Sequence, residues 1–486
     1  MPTTTPLSTI IALARAGALD HAWAQFCAAG YDRDDQDPAA LTVKGRLLKD
    51  YALRASDGAD RRRFYLQSAE CYRASAALRP ATYPLINAAT LSLLSGDRAQ
   101  AREIAREVLE RIAREPDEPE TPYYRAATEA EALLLLGRRD EAGARLAAAV
   151  AAAPRAWEDH ASTLRQFLII QAVLGGEAAW LDLLRPPRSL HYSADKEAGA
   201  DPEVAVPAAL DADIGFGFGA LAAGSELLTA EALLARGAEL HVVLPSDSAS
   251  FAARFVDPFG GAWRARFDAA LAAAESVRCV RPLDRAPDGA AVALADRIAN
   301  GAALLNAERL MGEAAQSLPA ETAALPGIAL VAIRVGGGTG SGFEERLGEV
   351  REALDAASPP ALPPHLNGET ILIGYADCAA AAAAARTVHA RLRDRLVLQI
   401  AGHYGLIDSV RDPFSRALRP AGSGVDIAEA VADSSPPGSI CVSDDFAALL
   451  AATDGGQSQA SWIGEIKAYD GGPAIGLYAL TSSAAS

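Results

Sequence analysis

Apolar residues recur every three to four positions from residue 6 to about residue 184, which is the spacing of one face of an α-helix. One pattern returns within this region: an apolar helix end, a glycine, a polar turn and then an alanine, at Gly17, Gly96 and Gly137, with a weaker copy at Gly58. Glycine permits a left-handed helix end, and alanine lets the next helix approach closely. Because a single helix pair cannot bury its apolar face, several pairs must stack.

This repeating pattern resembles tetratricopeptide repeats, with a period longer than is usual for them. We therefore predict an all-α, TPR-like repeat domain over residues 1–185, with a generic helical domain as the alternative. The resemblance implies a protein partner that binds through the helical repeats. In bacterial signalling proteins with a similar arrangement, such repeats are often named a TRAFs-binding domain.

The pattern changes after a proline-rich break at residues 185–188. We predict a strand at 189–193, a helix at 204–210 and a second strand from Ile214. Glycines at 215, 217, 219 and 224 separate this strand from a helix at 225–236, and a further strand follows at 239–244. The order predicts a right-handed βαβ unit, whose glycine turn can direct backbone N–H groups at a phosphate. Tight packing is the alternative reason for the glycines.

The longer string from Gly219 to Glu226 (GALAAGSE), followed by AEALLARGAELHVVLP, closely resembles the SLOG superfamily of Smf proteins and Lonely guy phosphoribohydrolases. The resemblance implies an α/β Rossmann-like domain over residues 186–325 and a pocket for a nucleotide-derived ligand. The pocket residues would be His191, Gly217, Gly219, Ala220, Gly224, Ser225 and Glu226. Glu226 stands where an Asp is usual, and only His191 matches the usual Gly-His pair.

A second glycine-rich loop, Gly336–Gly342, is followed by Glu344. It resembles the PGGxGTxxE loop of the phosphoribohydrolases, in which Glu344 would be the catalytic residue. Two interpretations stay open: the loop closes the SLOG-like pocket, or it is the exit loop of the next domain's first strand, which the continuous element order favours. The first interpretation supports our second hypothesis for function, a phosphoribohydrolase or N-glycosidic enzyme that uses Glu226 or Glu344.

The last third predicts strands and helices in mixed order, with an antiparallel tail. Four strings resemble class III adenylate/guanylate cyclases, and they lie at residues 400–407 (IAGHYGLI), 424–431 (GVDIAEAV), 437–450 (PGSICVSDDFAALL) and 462–480. The resemblance implies an α+β, ferredoxin-like cyclase homology domain over residues 326–486. It also implies a homodimer, since class III cyclase folds work as dimers.

The positions that carry cyclase chemistry are altered. The two metal-binding Asp positions fall on Arg334 and Glu369, and the transition-state Asn and Arg positions fall on Asp426 and Ala430. A guanidinium cannot bind Mg²⁺, and a lone carboxylate makes a weak site. We therefore predict a pseudo-cyclase without a metal site. A residual cyclase is the third hypothesis, and it requires a shifted alignment in which Asp377 or Asp408 serves.

Composition narrows the function further. The chain of 486 residues carries a net charge of −17, which disfavours nucleic acids and anionic membranes as partners. It has four lysines and no Walker-type motif. The five cysteines lack zinc or disulfide spacing, and we find no signal peptide or long apolar run, so we expect a cytoplasmic protein. The first hypothesis is a signalling protein that binds a nucleotide-derived ligand, and the sequence indicates no particular cofactor.

Overall fold

The structure is a computed structural model. It describes residues 5–79, 81–114, 121–193, 210–211, 213–280, 288–315, 327–337, 342–413, 416–453, 458–468 and 474–482. The helix predicted at 204–210 lies almost wholly outside the described residues. By its internal contacts the chain divides into two compact units, residues 1–186 and residues 187–486. The division into three domains stays a prediction.

The first unit is helical throughout its described part. Its α-helices are α1 (Leu7–Arg15), α2 (Leu19–Ala28), α3 (Pro38–Arg54), α4 (Gly58–Leu78), α5 (Thr82–Leu94), α6 (Arg98–Arg114), α7 (Pro122–Leu135), α8 (Arg139–Ala152) and α9 (Trp157–Leu174). Each helix from α3 to α7 packs against the next one along the chain. The tetratricopeptide family itself stays a prediction.

The predicted glycine caps are confirmed at three helix ends. Gly17, Gly96 and Gly137 have φ values of 84°, 95° and 81°. In each case the residue after the glycine donates its N–H to a carbonyl five residues back, which is the bond of a Schellman motif. The alanines that follow are buried, as close helix packing requires. The weaker copy is wrong: Gly58 is the first residue of α4 and ends no helix.

The second unit begins with a five-stranded parallel sheet. Its elements are β1 (Arg188–His191), β2 (Ile214–Gly219), α10 (Ser225–Ala235), β3 (Glu239–Leu244), α11 (Ser248–Phe255), α12 (Gly261–Ala273), β4 (Ser276–Cys279), α13 (Gly289–Leu310) and β5 (Ala314–Ala315). The strand order is β4-β3-β2-β1-β5, and all neighbours are parallel. The βαβ unit of β2, α10 and β3 is as predicted. The direction of strand addition reverses beside β1, where β5 pairs on the side opposite β2.

A seven-stranded mixed sheet completes the second unit. Its elements are β6 (Ile328–Val335), α14 (Phe343–Leu354), β7 (Leu362–Asn367), β8 (Thr370–Tyr375), α15 (Cys378–Leu392), β9 (Leu398–Gly405), β10 (Asp408–Arg411), β11 (Leu418–Ala421), α16 (Ser423–Ser434), β12 (Ser439–Ser443), α17 (Asp444–Thr453), β13 (Ser458–Lys467) and β14 (Ala474–Ser482). The strand order is β13-β14-β12-β9-β6-β8-β7. Strands β9 and β12 pair in parallel, and the other neighbours are antiparallel. Strands β10 and β11 form a separate hairpin.

Two further properties of the described chain concern membrane-spanning helices and the cysteines. None of the helices in the described ranges combines the length and the apolar character that a membrane span requires. All five cysteines are free thiols, but only Cys378 and Cys441 are fully buried.

Candidate functional site

The carboxyl edge of the five-stranded sheet forms the candidate site. Strand β1 ends at His191, whose Nε2 lies 3.1 Å from Oδ1 of Asp296 on α13. His191 is buried, whereas the Asp296 side chain is 30% exposed. Since β1 is the strand beside which the order reverses, a crevice is expected outside its carboxyl end. The His191–Asp296 pair therefore lies where open α/β sheets place their ligands.

The glycine turn after β2 borders the same edge, because β1 and β2 are neighbours. Gly224 has a φ of 109°, which favours glycine, and a Cβ added to it would meet nothing within 4 Å. Ser225 follows as the first residue of α10, so the amino end of that helix opens beside Gly224. Backbone N–H groups at a helix start attract anions. This part of the turn is the portion that can accept a ligand.

The Glu226 side chain bonds to the backbone of the glycine turn. Its Oε2 accepts a hydrogen bond from the N–H of Ala222 at 2.8 Å, and the residue is only 9% exposed. The carboxylate thus satisfies one of the donors that a ligand phosphate would otherwise compete for. This contact gives Glu226 a structural role in the turn.

Gly217 and Gly219 do not border open space, contrary to our sequence interpretation. A Cβ on Gly219 would lie 2.5 Å from the carbonyl oxygen and the ring of Tyr192, and one on Gly217 would overlap Leu233. Both glycines are buried. Close packing, which was the alternative explanation, accounts for Gly219, and ligand binding at either glycine stays a prediction. Ala220 is half-buried and packs against the apolar core that contains Tyr192 and Leu233.

Tyr192 adds a polar group that we did not predict. Its ring is buried, and its hydroxyl has no hydrogen-bond partner among the described residues. Burial, together with the nearby Glu226 carboxylate, raises the pKa of Tyr192 well above its ordinary value. A buried hydroxyl without a partner is costly. It is therefore a group that a ligand or an ordered water would satisfy.

The second glycine loop belongs to the seven-stranded sheet at both of its ends. Gly336 follows β6 and donates its N–H to the Val397 carbonyl, and Gly342 precedes α14. Residues 338–341 lie outside the described residues. Glu344 is an exposed residue in the first turn of α14. The exit-loop interpretation agrees with these flanks.

Two of the residues that the sequence resemblance assigns to altered cyclase positions lie together. Nη2 of Arg334 is 3.5 Å from Oε2 of Glu369, which lies in the turn between β7 and β8. The same guanidinium also forms an ion pair with Asp433 of α16, a residue that sequence reasoning missed. The guanidinium therefore occupies the space between two carboxylates.

The remaining cyclase positions lie on α16, with Asp426 in its first turn and Ala430 one turn later. Of the alternative metal ligands, Asp377 caps α15 by accepting the N–H of Ala380 at 2.7 Å. Asp408 begins the separate β10–β11 hairpin. In the described parts of the chain, no group of three or more His, Cys, Asp or Glu residues is arranged to hold a metal ion.

No protein-family model matches the chain, and no curated protein matches it. Solved structures similar to about a third of it include an adenylate cyclase of Trypanosoma brucei in its monomeric state (12% identity, 33% of this chain and 91% of that chain, TM-score 0.29). Another is a guanylate cyclase domain of Catenaria anguillulae in complex with GTP (13% identity, 32% of this chain and 97% of that chain, TM-score 0.28). A third is the adenylyl cyclase CyaB of P. aeruginosa (12% identity, 32% of this chain and 95% of that chain, TM-score 0.27). Likeness at these TM-scores carries no conclusion about activity, ligand or assembly.

Proposed function

We propose that this chain is a signalling protein that binds a nucleotide-derived ligand at the carboxyl edge of its five-stranded sheet. The observation that carries the proposal is the combination of two features at neighbouring strand ends, beside the reversal of strand order: His191 with Asp296 after β1, and the open turn at Gly224 after β2. A phosphate would take the helix start at Ser225, and a base or sugar would lie toward His191. This is the predicted SLOG-like pocket, and the turn at Gly224 and Ser225 is its open part.

The other two modules complete the proposal. The helical array of residues 1–185 binds a protein partner, and the cyclase-like region dimerises without catalysing cyclisation. The ion pairs of Arg334 with Glu369 and Asp433 support the loss of catalysis, because the sequence resemblance assigns Arg334 to a metal-binding Asp position and its guanidinium pairs with the carboxylates there. A homodimer follows from the resemblance to cyclases alone.

Calorimetry with nucleoside monophosphates, cyclic nucleotides and NAD tests the ligand site. We expect at least one of these probes to bind the intact chain and to lose measurable affinity in Ser225→Trp, which fills the turn. Ser423→Trp is the matched control, since Ser423 also begins a helix directly after a positive-φ glycine. Absence of binding by every probe, or equal binding by Ser225→Trp and the wild type, would refute the proposed site.

The hydrolase hypothesis predicts a different outcome. Release of free base from nucleoside monophosphates or NAD, abolished in Glu344→Ala, would identify an enzyme instead of a sensor. Glu226 is a poor catalytic candidate, since its carboxylate is buried and bonded to the backbone. Likewise, cyclic nucleotide formed from ATP or GTP with Mn²⁺ would contradict the inactive cyclase.

A further inference from the structure

Helices α13 and α17 form the seam between the two sheets of the second unit. Helix α13 packs on β1, β2 and β3 of the five-stranded sheet, and α17 packs on β9, β12 and β14 of the seven-stranded sheet. The two helices touch at Gly301, where an added Cβ would overlap the Ala448 carbonyl oxygen. Only glycine therefore permits this crossing.

One turn beyond that contact, the helices leave a cavity between them. Its volume is about 180 Å³. The wall is mostly apolar, with Leu304 and Leu305 on α13 and Leu450 and Ala451 on α17. Strand β13 closes a further side. The close approach at Gly301 holds the helices together at one end, so the cavity is a built feature of the seam.

Two polar groups border this apolar space. Glu308 lies one turn after Leu304 on α13, and Ser458 begins β13. The Ser458 hydroxyl accepts a hydrogen bond from Arg386, which leaves its own proton free to be donated. The Glu308 side chain is exposed and has no ion pair or hydrogen bond within the described ranges. Desolvation beside the apolar wall raises the pKa of its carboxyl group.

We propose that this seam cavity binds a small organic cation, consisting of one ring or a branched aliphatic body of similar size that carries a single ammonium group. An apolar cavity of about 150 Å³ is large enough for benzene, so this cavity accommodates a ring with one or two additional atoms. The ring takes the leucine-lined wall, and the ammonium group lies at the Glu308 carboxylate. This site is separate from the proposed nucleotide site and does not depend on it.

A molecule bound in this cavity affects how the two helices are held together. A molecule bound there contacts helices from both sheets, so binding stabilises their observed separation. The same ligand therefore raises the stability of the seam as its concentration rises.

Three probes of similar size separate charge from shape: benzylamine, benzyl alcohol and benzoate. With the full chain and calorimetry, we expect benzylamine to bind best, benzyl alcohol more weakly and benzoate least, with affinities in about the millimolar range. Glu308→Gln is expected to weaken benzylamine about fivefold and to leave benzyl alcohol unchanged. Glu352→Gln, on an exposed helix face, is the control for charge.

Filling the cavity tests its shape. Ala451→Leu should abolish binding of benzylamine and benzyl alcohol, whereas Ala269→Leu, on the exposed face of α12, should leave both unchanged. Circular dichroism of each variant establishes that it is folded. The proposal is overturned if no probe binds at about 10 mM, if Ala451→Leu binds as the wild type does, or if benzoate binds as tightly as benzylamine.

Discussion

At the scale of single residues, a glycine within strand β2 serves packing, whereas Gly224 in the turn that follows leaves room for a ligand. Gly219→Ala places a Cβ against the Tyr192 backbone, where no side-chain rotation relieves the overlap. We expect it to destabilise the five-stranded sheet by about 1–3 kcal/mol. Gly348→Ala on α14 meets nothing within 4 Å and should stabilise its helix by about 0.5–1 kcal/mol. Native-state hydrogen exchange of the β2 and α14 amides measures both changes.

The outcome that contradicts this explanation is unchanged protection of the β2 amides in Gly219→Ala. In that case Tyr192 is mobile enough to move aside, and Gly219 is available to a ligand after all.

Arg334 offers a second prediction at this scale. Its guanidinium separates Glu369 from Asp433, so Arg334→Asp would bring three carboxylates together. Like charges at one site repel, and a divalent cation relieves the repulsion by accepting their oxygens. We expect the variant to melt lower than the wild type in EDTA and to regain stability as Mn²⁺ is added. Arg334→Ala, with two carboxylates, should respond less.

Thermal melting of the three proteins across a Mn²⁺ series decides the matter. A wild type stabilised by Mn²⁺ as strongly as Arg334→Asp would mean that the cation binds elsewhere in the chain.

At the scale of elements, regular helices and central strands could be read from the sequence. Apolar spacing and flanking turn residues predict a helix at 378–392 and a strand at 439–443, and α15 and β12 have these bounds. The proline-rich stretch at 358–365 predicts a loop, but residues 362–367 form strand β7, with Pro363 and Pro364 within it. It is an edge strand, and an edge strand tolerates residues that cannot donate to a neighbour.

Contacts between distant elements had no signal in the sequence. Asp296 lies on a helix that we did not predict, and its partner His191 is 105 positions away. Arg278 of β4 likewise forms ion pairs with Asp444 and Asp445, at the start of α17. Neither pair follows from local periodicity or spacing. The candidate site was therefore predictable at its glycine turn but not at its acidic partner.

The Arg278 ion pairs lead to a prediction about pH. Burial raises the pKa of both Asp444 and Asp445, and their mutual repulsion adds to the rise for Asp444. A carboxyl whose pKa is raised by folding contributes stability that is present below its unfolded pKa, about 4, and is lost as pH rises through the folded value. Asp445→Asn removes one titration and the repulsion. The loss of stability between about pH 4 and pH 7.5 should therefore be smaller in the variant.

Denaturant midpoints at several pH values measure this difference, with the exposed Asp394→Asn as the control. Parallel pH profiles for Asp445→Asn and the wild type would show that Arg278 fully compensates both carboxylates.

At the scale of the whole molecule, the net charge of −17 distinguishes between the two ligands that the sequence resemblance to SLOG proteins suggests, DNA and a single nucleotide. Binding DNA requires a basic surface that displaces counterions from many phosphates, whereas binding one nucleotide requires a few donors. The turn at Gly224 offers backbone N–H groups at a helix start, which are local and carry no net charge. Such a site can bind one phosphate on an acidic protein.

We therefore expect no complex with double-stranded or single-stranded DNA, even at about 50 mM salt, where phosphate contacts are strongest. Electrophoretic mobility of labelled DNA at micromolar protein measures this, and the same preparation must bind its nucleotide probe, so that an inactive sample is recognised. A DNA complex that weakens steeply with salt would locate a basic surface that the overall charge conceals. The slope of that dependence would count the phosphates engaged, and a slope near zero with retained binding would indicate recognition of a single nucleotide end.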